Sequence, residues 1–391
     1  MSAQQLAAEE RGPGLVARAT GSRLLWPVLA LVALLVLNTA VNPGFLSVEV
    51  RGDRLYGSLV DILKNGAPVL LVAVGMTLVI ATRGIDLSVG AVVAIAGAVA
   101  CTSVATAPDP SSPSAAVVGM STALAVCVLL GLWNGFLVSV VGIQPIIATL
   151  VLMTAGRGIA MLITDAQIIT VNNPTLNAVG AGFVLLLPVP ILISVGVLVA
   201  VALLTRRTAL GLFVESVGIN PEASRLAGLR SRTILWTVYV FSALCAGVAG
   251  LMIAANVNAA DANNAGLWIE LDAILAVVIG GTSLAGGRYS LAGTLVGAMV
   301  IQTLTTTVYS IGVPPEVSLV FKAVVVILVF LAQSPQARGL LVRRRRRPAA
   351  AGSPRGGGRR APGDGAGSSG GTGSTPVRED APQEHQEVGR A

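Results

Sequence analysis

The chain has 391 residues, of which 54% are hydrophobic and only 12% charged, with a mean hydropathy of +0.80. An average soluble domain carries about 25% charged residues, so this chain has too little polar surface for a soluble globule and its solvent is lipid. Of the formal charge of +7, eleven Arg against five acidic residues place +6 in residues 338–391, which leaves the rest nearly neutral and predicts no nucleic-acid surface.

Residues 1–23 carry Arg11, Arg18 and Arg23 and are expected to lie in the cytoplasm. The run Leu24–Val41 is longer than a signal-peptide core and leads into Asn42, Pro43 and Gly44 without a small-residue cleavage pattern, so it reads as a first span. Breaking the apolar runs at Pro, Gly and charged clusters gives ten spans, near 24–41, 66–82, 88–106, 115–141, 145–164, 183–204, 233–256, 270–286, 290–311 and 316–333. The expected fold is therefore an all-α polytopic membrane bundle of about ten transmembrane helices, filling residues 24–333. Glycines interrupt it near 82–90 and 280–288, which predicts broken or re-entrant segments shielded by protein. In the loop 42–65, Glu49, Arg51, Asp53, Arg54, Asp61 and Lys64 alternate with apolar residues, which predicts an amphipathic segment on the membrane surface.

Charge fixes the orientation. Arg206, Arg207, Arg225, Arg230 and Arg232 in the loop 205–232, Arg288, and the run Arg343–Arg347 all fall on the side of the N-terminus. The opposite loops 107–114, 165–182, 257–269 and 312–315 contain no Arg or Lys, and one opposite loop, 42–65, dissents with Arg51, Arg54 and Lys64, offset by Glu49, Asp53 and Asp61. The positive-inside rule then puts both termini in the cytoplasm of a multi-pass plasma-membrane protein. Trp26, Trp133, Trp236 and Trp268 fall near span ends, where an interfacial belt places them. Residues 334–391, rich in Arg, Gly, Pro and Ser, cannot bury a core and are expected to be a disordered cytoplasmic tail, its Arg run held at the anionic lipid surface. Cys101, Cys127 and Cys245 lie in apolar runs and read as packing residues, and the single His385 sits in the tail, so no His-based metal site or Ser-His-Asp triad assembles in the core. No cofactor is expected.

Four polar features remain. Within 205–232, Asn220 suits a helix cap, Pro221 the first helical position, Glu222 the positive end of the helix dipole and Gly228 the residue that ends the helix. This short helix, bearing Ala223 and Arg225, either connects two spans or docks a partner. Asp86 and Ser88 follow Gly84 at the junction of two spans, where they either cap the third helix, with Asp86 pairing Arg83, or line a pathway through a discontinuous helix. Asn256, Asn258, Asp261, Asn263 and Asn264 gather at the outer end of the seventh span, followed by Trp268, Glu270 and Asp272; such a cluster suits hydrogen bonding to a sugar or docking of a binding protein. Arg157 and Lys322 fall inside spans, where ionisable groups are costly and read as functional, unless Arg157 packs against a backbone carbonyl and Lys322 snorkels to the interface.

Several motifs carry a resemblance. The stretch Gly75–Gly90, GMTLVIATRGIDLSVG, and the stretch Glu270–Arg288, ELDAILAVVIGGTSLAGGR, are similar to the two hallmark segments of the ribose/xylose/galactose permeases of ATP-binding-cassette sugar importers. Gly131–Gly135, containing Asn134, and Gln144–Leu150 also look familial, and Glu222-Ala223-Ser224-x-x-x-Gly228 resembles the EAA-x-x-x-G loop by which such permeases fit their ATPase. The stretches GSLVDILKNGAP, AGRGIAMLITDAQIIT and ADANNAGLWIELDAILAVVIGG resemble permeases of galactofuranose importers. Arg83 and Ser224 depart from the pattern, which more often has Gly and Ala there. The resemblance implies a monosaccharide pathway through Asp86, Ser88, Asn134, Arg157, Asn256, Asn258, Asp261, Asn264 and Asp272. It also implies a separate ATPase met by Asn220–Gly228, a secreted or lipid-anchored sugar-binding protein, and a second permease, identical or sister. No Gly-x-x-x-x-Gly-Lys-Ser/Thr sequence occurs, so hydrolysis belongs to another subunit and the chain itself is not expected to be an enzyme. The alternative, a transporter driven by an ion gradient, usually places acidic groups in mid-span, whereas Asp86, Glu270 and Asp272 fall near span ends.

Overall fold

The computed structural model describes residues 24–52, 54–312 and 315–333; the segment 1–23 and the tail 334–391 lie outside them. Leu25–Val41 forms helix α1. Within the stretch expected to be an amphipathic surface segment the chain makes an exposed β-hairpin: β1 (Glu49–Arg51) pairs with β2 (Arg54–Tyr56), Glu49 opposite Tyr56 and Arg51 opposite Arg54. The alternation of charged and apolar residues is the period of two of a strand, and Gly52 at φ 61° supplies the turn. Helix α2 (Ser58–Ala81) accordingly starts at Ser58, well before the expected 66.

The remaining elements follow in order. Helices α3 (Val89–Ala105), α4 (Pro113–Phe136, extended by a π-turn over Leu137–Val141) and α5 (Pro145–Ile163) lead to the short strand β3 (Ile169–Thr170) and helix α6 (Pro174–Ala181). The two-residue strands β4 (Phe183–Val184) and β5 (Leu187–Pro188) pair before α7 (Val189–Arg207), α8 (Leu210–Ile219) and α9 (Pro221–Leu226). Helix α10 (Ser231–Val257), strand β6 (Ala259–Ala260) and helices α11 (Ile269–Ile279), α12 (Leu291–Ser310) and α13 (Pro315–Gln333) complete the described chain.

Each of the ten expected spans coincides with one of α1–α5, α7 and α10–α13. Six of these helices, α2, α4, α5, α7, α10 and α12, are long and apolar enough to cross a membrane. Helices α1 and α3, with 17 residues each, and α11, with 11, are shorter than the roughly 20 residues a perpendicular span needs. Helix α11 stops at Ile279, short of the expected 286, because Gly280 and Gly281 end it and Gly281 takes φ 90°. Two helices inside expected loops are additions. Helix α6 is announced by the pair Asn173-Pro174: the Asn173 side chain accepts from the Thr175 and Leu176 amides. Helix α8 lies within the loop 205–232 and precedes the expected short helix.

Burial sorts the long helices into two rings. The apolar stretches of α2, α10 and α12 are 78%, 72% and 67% buried, whereas those of α4, α5 and α7 are only 33%, 28% and 22% buried. The first three form the centre, and the others leave much of their apolar surface exposed at the periphery. Small residues let the inner backbones approach. A Cβ at Gly250 of α10 would lie 2.3 Å from the Val93 carbonyl oxygen of α3, and one at Gly131 of α4 would lie 2.7 Å from Val240 Cα of α10. Helices α11 and α12 cross through Ala276, Gly280, Gly293 and Gly297, pairs of small residues four apart, as membrane helices without a hydrophobic driving force do.

Candidate functional site

The break between α2 and α3 lies inside the bundle. Asp86 is 1% exposed. Its Oδ1 accepts from the Ser88 amide at 3.1 Å and the Ser88 hydroxyl at 2.6 Å, and its Oδ2 accepts from the Ser242 hydroxyl at 3.0 Å. Ser88 Oγ in turn accepts from Asn134 Nδ2 at 2.8 Å. Three buried polar residues expected from the sequence, Asp86, Ser88 and Asn134, are thus one network, with Ser242 as a fourth that mid-helix position alone did not reveal. Ser242 is eleven residues into α10, about 16 Å from its start, which puts the break deep in the protein. Of the structural alternatives, Asp86 does take up the Ser88 amide at the start of α3, whereas Ser88 itself makes no capping bond, and Arg83 turns away from Asp86 to donate to the Ala285 and Ile219 carbonyls. Thr149 Oγ1, from α5, accepts from the Leu87 amide at 3.1 Å and pins the same turn.

A second break, between β6 and α11, meets the first. A Cβ at Gly90 would stand 2.2 Å from Glu270 Oε2 and 2.7 Å from the Gly266 carbonyl oxygen, so the first turns of α3 and α11 approach one another with glycine as the only residue that fits. Glu270 is 6% exposed, and its Oε2 has no hydrogen-bond partner among the described residues. Arg157 of α5 reaches the same loop, donating from Nη1 to the Ala262 and Ala265 carbonyls at 3.0 and 2.7 Å. Two short helices that begin opposite each other within the bundle, with a buried carboxylate beside each start, form the geometry in which discontinuous helices line a solute site. Glu270, which the sequence places only among the residues of an outer loop, is instead buried beside α3; its position near a span end hides its burial.

The amide-rich residues divide. Asp261 closes a local turn, its carboxylate accepting from the Asn263 and Asn264 amides and from Asn264 Nδ2 at 2.8 Å. Those bonds, the Asn264 side chain first, hold the Asp261 carboxyl below its ordinary range. Asn258 ends α10 at φ 53° and accepts from Asn177 Nδ2 at 2.8 Å. Asn256 lines a small separate cleft with Lys64, Asn65 and Gly180. Strands β3 and β6 pair Ile169 with Ala260, tying this end together.

Asp272 is engaged elsewhere. Lys322 of α13 donates to both its oxygens, at 3.0 and 2.8 Å, and the two side chains are 14% and 19% exposed. The pair holds α13 against α11 and answers for both ionisable groups. Asp272→Ala leaves the Lys322 ammonium uncompensated and is expected to destabilise the protein by about 3–5 kcal/mol, whereas Asp272→Leu with Lys322→Met recovers most of the loss. Thermal unfolding in detergent measures it; a double variant as unstable as the single one would contradict this reading.

At the other end, Asn220 Oδ1 accepts from the Glu222 and Ala223 amides at 3.1 and 3.0 Å, Pro221 opens α9, and Gly228 sits at φ 86°. The Leu229 amide bonds the Ser224 carbonyl and the Gly228 amide bonds the Arg225 carbonyl, each at 3.0 Å, which is the paired closure of a glycine-ended helix. Glu222 and Arg225 form an exposed ion pair. All six residues expected in this element, Asn220, Pro221, Glu222, Ala223, Arg225 and Gly228, occupy one capped, outward-facing helix.

Residues 58–330 match a protein family described as "Branched-chain amino acid transport system / permease component". The chain belongs to this permease family. Its relatives within the family include the galactofuranose transporter permease of Escherichia coli (strain K12), 51% identical over 324 residues, 82% of this chain and 93% of the relative. The fructose import permease of Bifidobacterium longum (strain NCC 2705) is 41% identical over 85% of this chain and 94% of its own length. The ribose import permease of Escherichia coli (strain K12) is 35% identical over 78% and 92%. No solved structure matches the chain. Membership makes the α9 element and both interrupted segments parts of a transport permease of a bacterial membrane.

Proposed function

We infer that the chain is the membrane-spanning permease of an ATP-driven importer that carries a monosaccharide, with galactofuranose the first candidate. The observation that carries this is the 51% identity to a galactofuranose transporter permease, extending over 93% of that relative. The solute passes the zone where α3 and α11 begin, near Asp86, Ser88, Asn134, Arg157 and Glu270, after delivery at the end bearing Asn256, Asn258, Asp261 and Asn264. A separate ATPase grips α9, a secreted or lipid-anchored sugar-binding protein supplies the solute, and a second permease completes the channel. Asp272 serves this function indirectly, through its bond to Lys322.

The test is reconstitution in liposomes with the tandem ATPase and the sugar-binding protein of the same genome, following uptake of labelled galactofuranose, fructose and ribose. ATP-dependent uptake of one of them is expected; a sodium- or proton-driven uptake without ATP would replace this reading with an ion-gradient transporter. Both termini are cytoplasmic in this reading, so single cysteines at Ser112 and Ser231 should label from outside and inside respectively. External labelling at 231 would remove α9 from reach of any ATPase.

A further inference from the structure

Arg83 departs from a glycine-rich pattern yet keeps the glycine's backbone. It sits at φ 64°, in the left-handed region that glycine adopts freely and other residues adopt at a cost. The turn is therefore the one glycine would make, and what the substitution adds is a side chain. That side chain crosses to two other segments. Arg83 Nη2 donates to the Ile219 carbonyl at 2.6 Å and Nε donates to the Ala285 carbonyl at 2.9 Å.

Both acceptors are telling. Ile219 is the last residue of α8, so its carbonyl has no partner within that helix and lies at the negative end of the helix dipole, where a cation is favoured. The next residue, Asn220, caps α9. Ala285 belongs to the glycine-rich segment between α11 and α12. The three backbones are also in direct contact. The Gly287 amide donates to the Ala81 carbonyl at 2.8 Å, and a Cβ at Gly218 would stand 1.8 Å from that same oxygen. At Gly286 a Cβ would stand 2.3 Å from Arg83 Cγ, so the missing side chain is what gives the arginine its path. A guanidinium is always charged and spreads its donors in a rigid fork, so it can hold two carbonyls from different segments at a fixed separation.

We propose that Arg83 is a positioning residue that carries displacement of the α8–α9 element to both interrupted segments at once, 82–88 and 280–290. The proposal rests on the importer reading above. Movement of α9 by the ATPase shifts the end of α8, and the guanidinium passes that shift to the turn that ends at Asp86 and Ser88 and to the loop that ends α11.

The experiment compares wild type with Arg83→Ala, Arg83→Gly and Arg83→Lys in liposomes holding the ATPase and the sugar-binding protein, reading sugar taken up per ATP hydrolysed, ATPase co-purification and thermal stability. Arg83→Ala and Arg83→Gly are expected to retain the ATPase while sugar per ATP falls roughly 2- to 30-fold, the range of coupling losses for residues between two sites. Arg83→Lys, which restores a donor and the charge, should recover part of the ratio. Where Arg83→Ala is poorly inserted, Arg83→Gln is read in its place. A wild-type ratio in Arg83→Ala or Arg83→Gln overturns the proposal, as does loss of ATPase binding in those variants alone. Failure of the wild-type chain itself to bind the ATPase or to take up sugar counts against the importer reading and is recognised separately.

Discussion

Gly297→Ala is expected to cost about 3 kcal/mol of stability and most of the transport activity, although it adds one methyl group to a membrane helix. Its Cβ would lie 2.0 Å from the Ala276 carbonyl oxygen and 2.8 Å from the carbon behind it, both backbone atoms that no rotamer change can move aside. One turn away, a Cβ at Gly293 would meet the Gly280 oxygen, also at 2.0 Å, so α11 and α12 cannot slide along each other to make room. The helices must separate, and the turn at Gly280–Gly287 and the ion pair of Asp272 with Lys322 move with them. Gly196 of α7 is the control, since nothing lies within 4 Å of its Cβ position. There the same change should be neutral or stabilise by up to about 1 kcal/mol, because alanine favours helix. Thermal unfolding and uptake measured on both variants decide it. A Gly297→Ala protein as stable as wild type would mean that the two backbones are not in contact.

The other large effect is expected at α9, and it is one of coupling rather than of stability. Glu222 and Arg225 are 66% and 68% exposed, so breaking their ion pair with Glu222→Lys should cost at most about 1 kcal/mol. Gly228→Val meets no neighbour within 4 Å, and its cost is the left-handed backbone alone, about 1–2 kcal/mol. Yet the first variant reverses the charge at the start of a helix that presents itself to solvent, and the second misplaces its end. Both are expected to insert normally and to lose ATPase co-purification and uptake by at least about tenfold, the equivalent of 1.4 kcal/mol of contact. Two variants that bind the ATPase and transport like wild type would dismiss α9 as the coupling element.

Local signals were legible in the sequence, and distant ones were not. Asn220, Pro221 and Gly228 specify the bounds of α9 within a few residues of one another, whereas Asn173-Pro174 carries the same signal for α6 inside a stretch expected to be a loop. A helix lies at each of the ten expected spans because apolar length is itself the signal, although among the described residues only six are long and apolar enough to cross a membrane. What apolar length hides is rotation: residues 66–76 of α2 are apolar throughout, so nothing in their pattern shows which face meets α10 or α12. The partners of Asp86, Asp272 and Arg157 lie 156, 50 and more than 100 residues away, and no spacing rule reaches so far. The hairpin at Glu49–Tyr56 is not specified by the pattern, because charges alternating with apolar residues suit an amphipathic helix or strand alike, and only Gly52 marks the turn.

The meeting of α3 and α11 at Gly90, Gly266 and Glu270 has an electrical consequence. Each helix start carries the equivalent of about half a positive elementary charge. Two such ends face one zone of the bundle, with the Arg157 guanidinium close by on the loop that precedes α11. A bacterial plasma membrane maintains a voltage, and any path that lets protons or sodium follow a sugar inward would short-circuit it. The buried carboxyl groups of Asp86 and Glu270 stand beside these ends, so helix dipoles and guanidinium offset the acidic side chains, and a neutral polyol is indifferent to the balance. The same interruption that opens hydrogen-bonding groups to a solute therefore offers a cation no uncompensated carboxylate to follow.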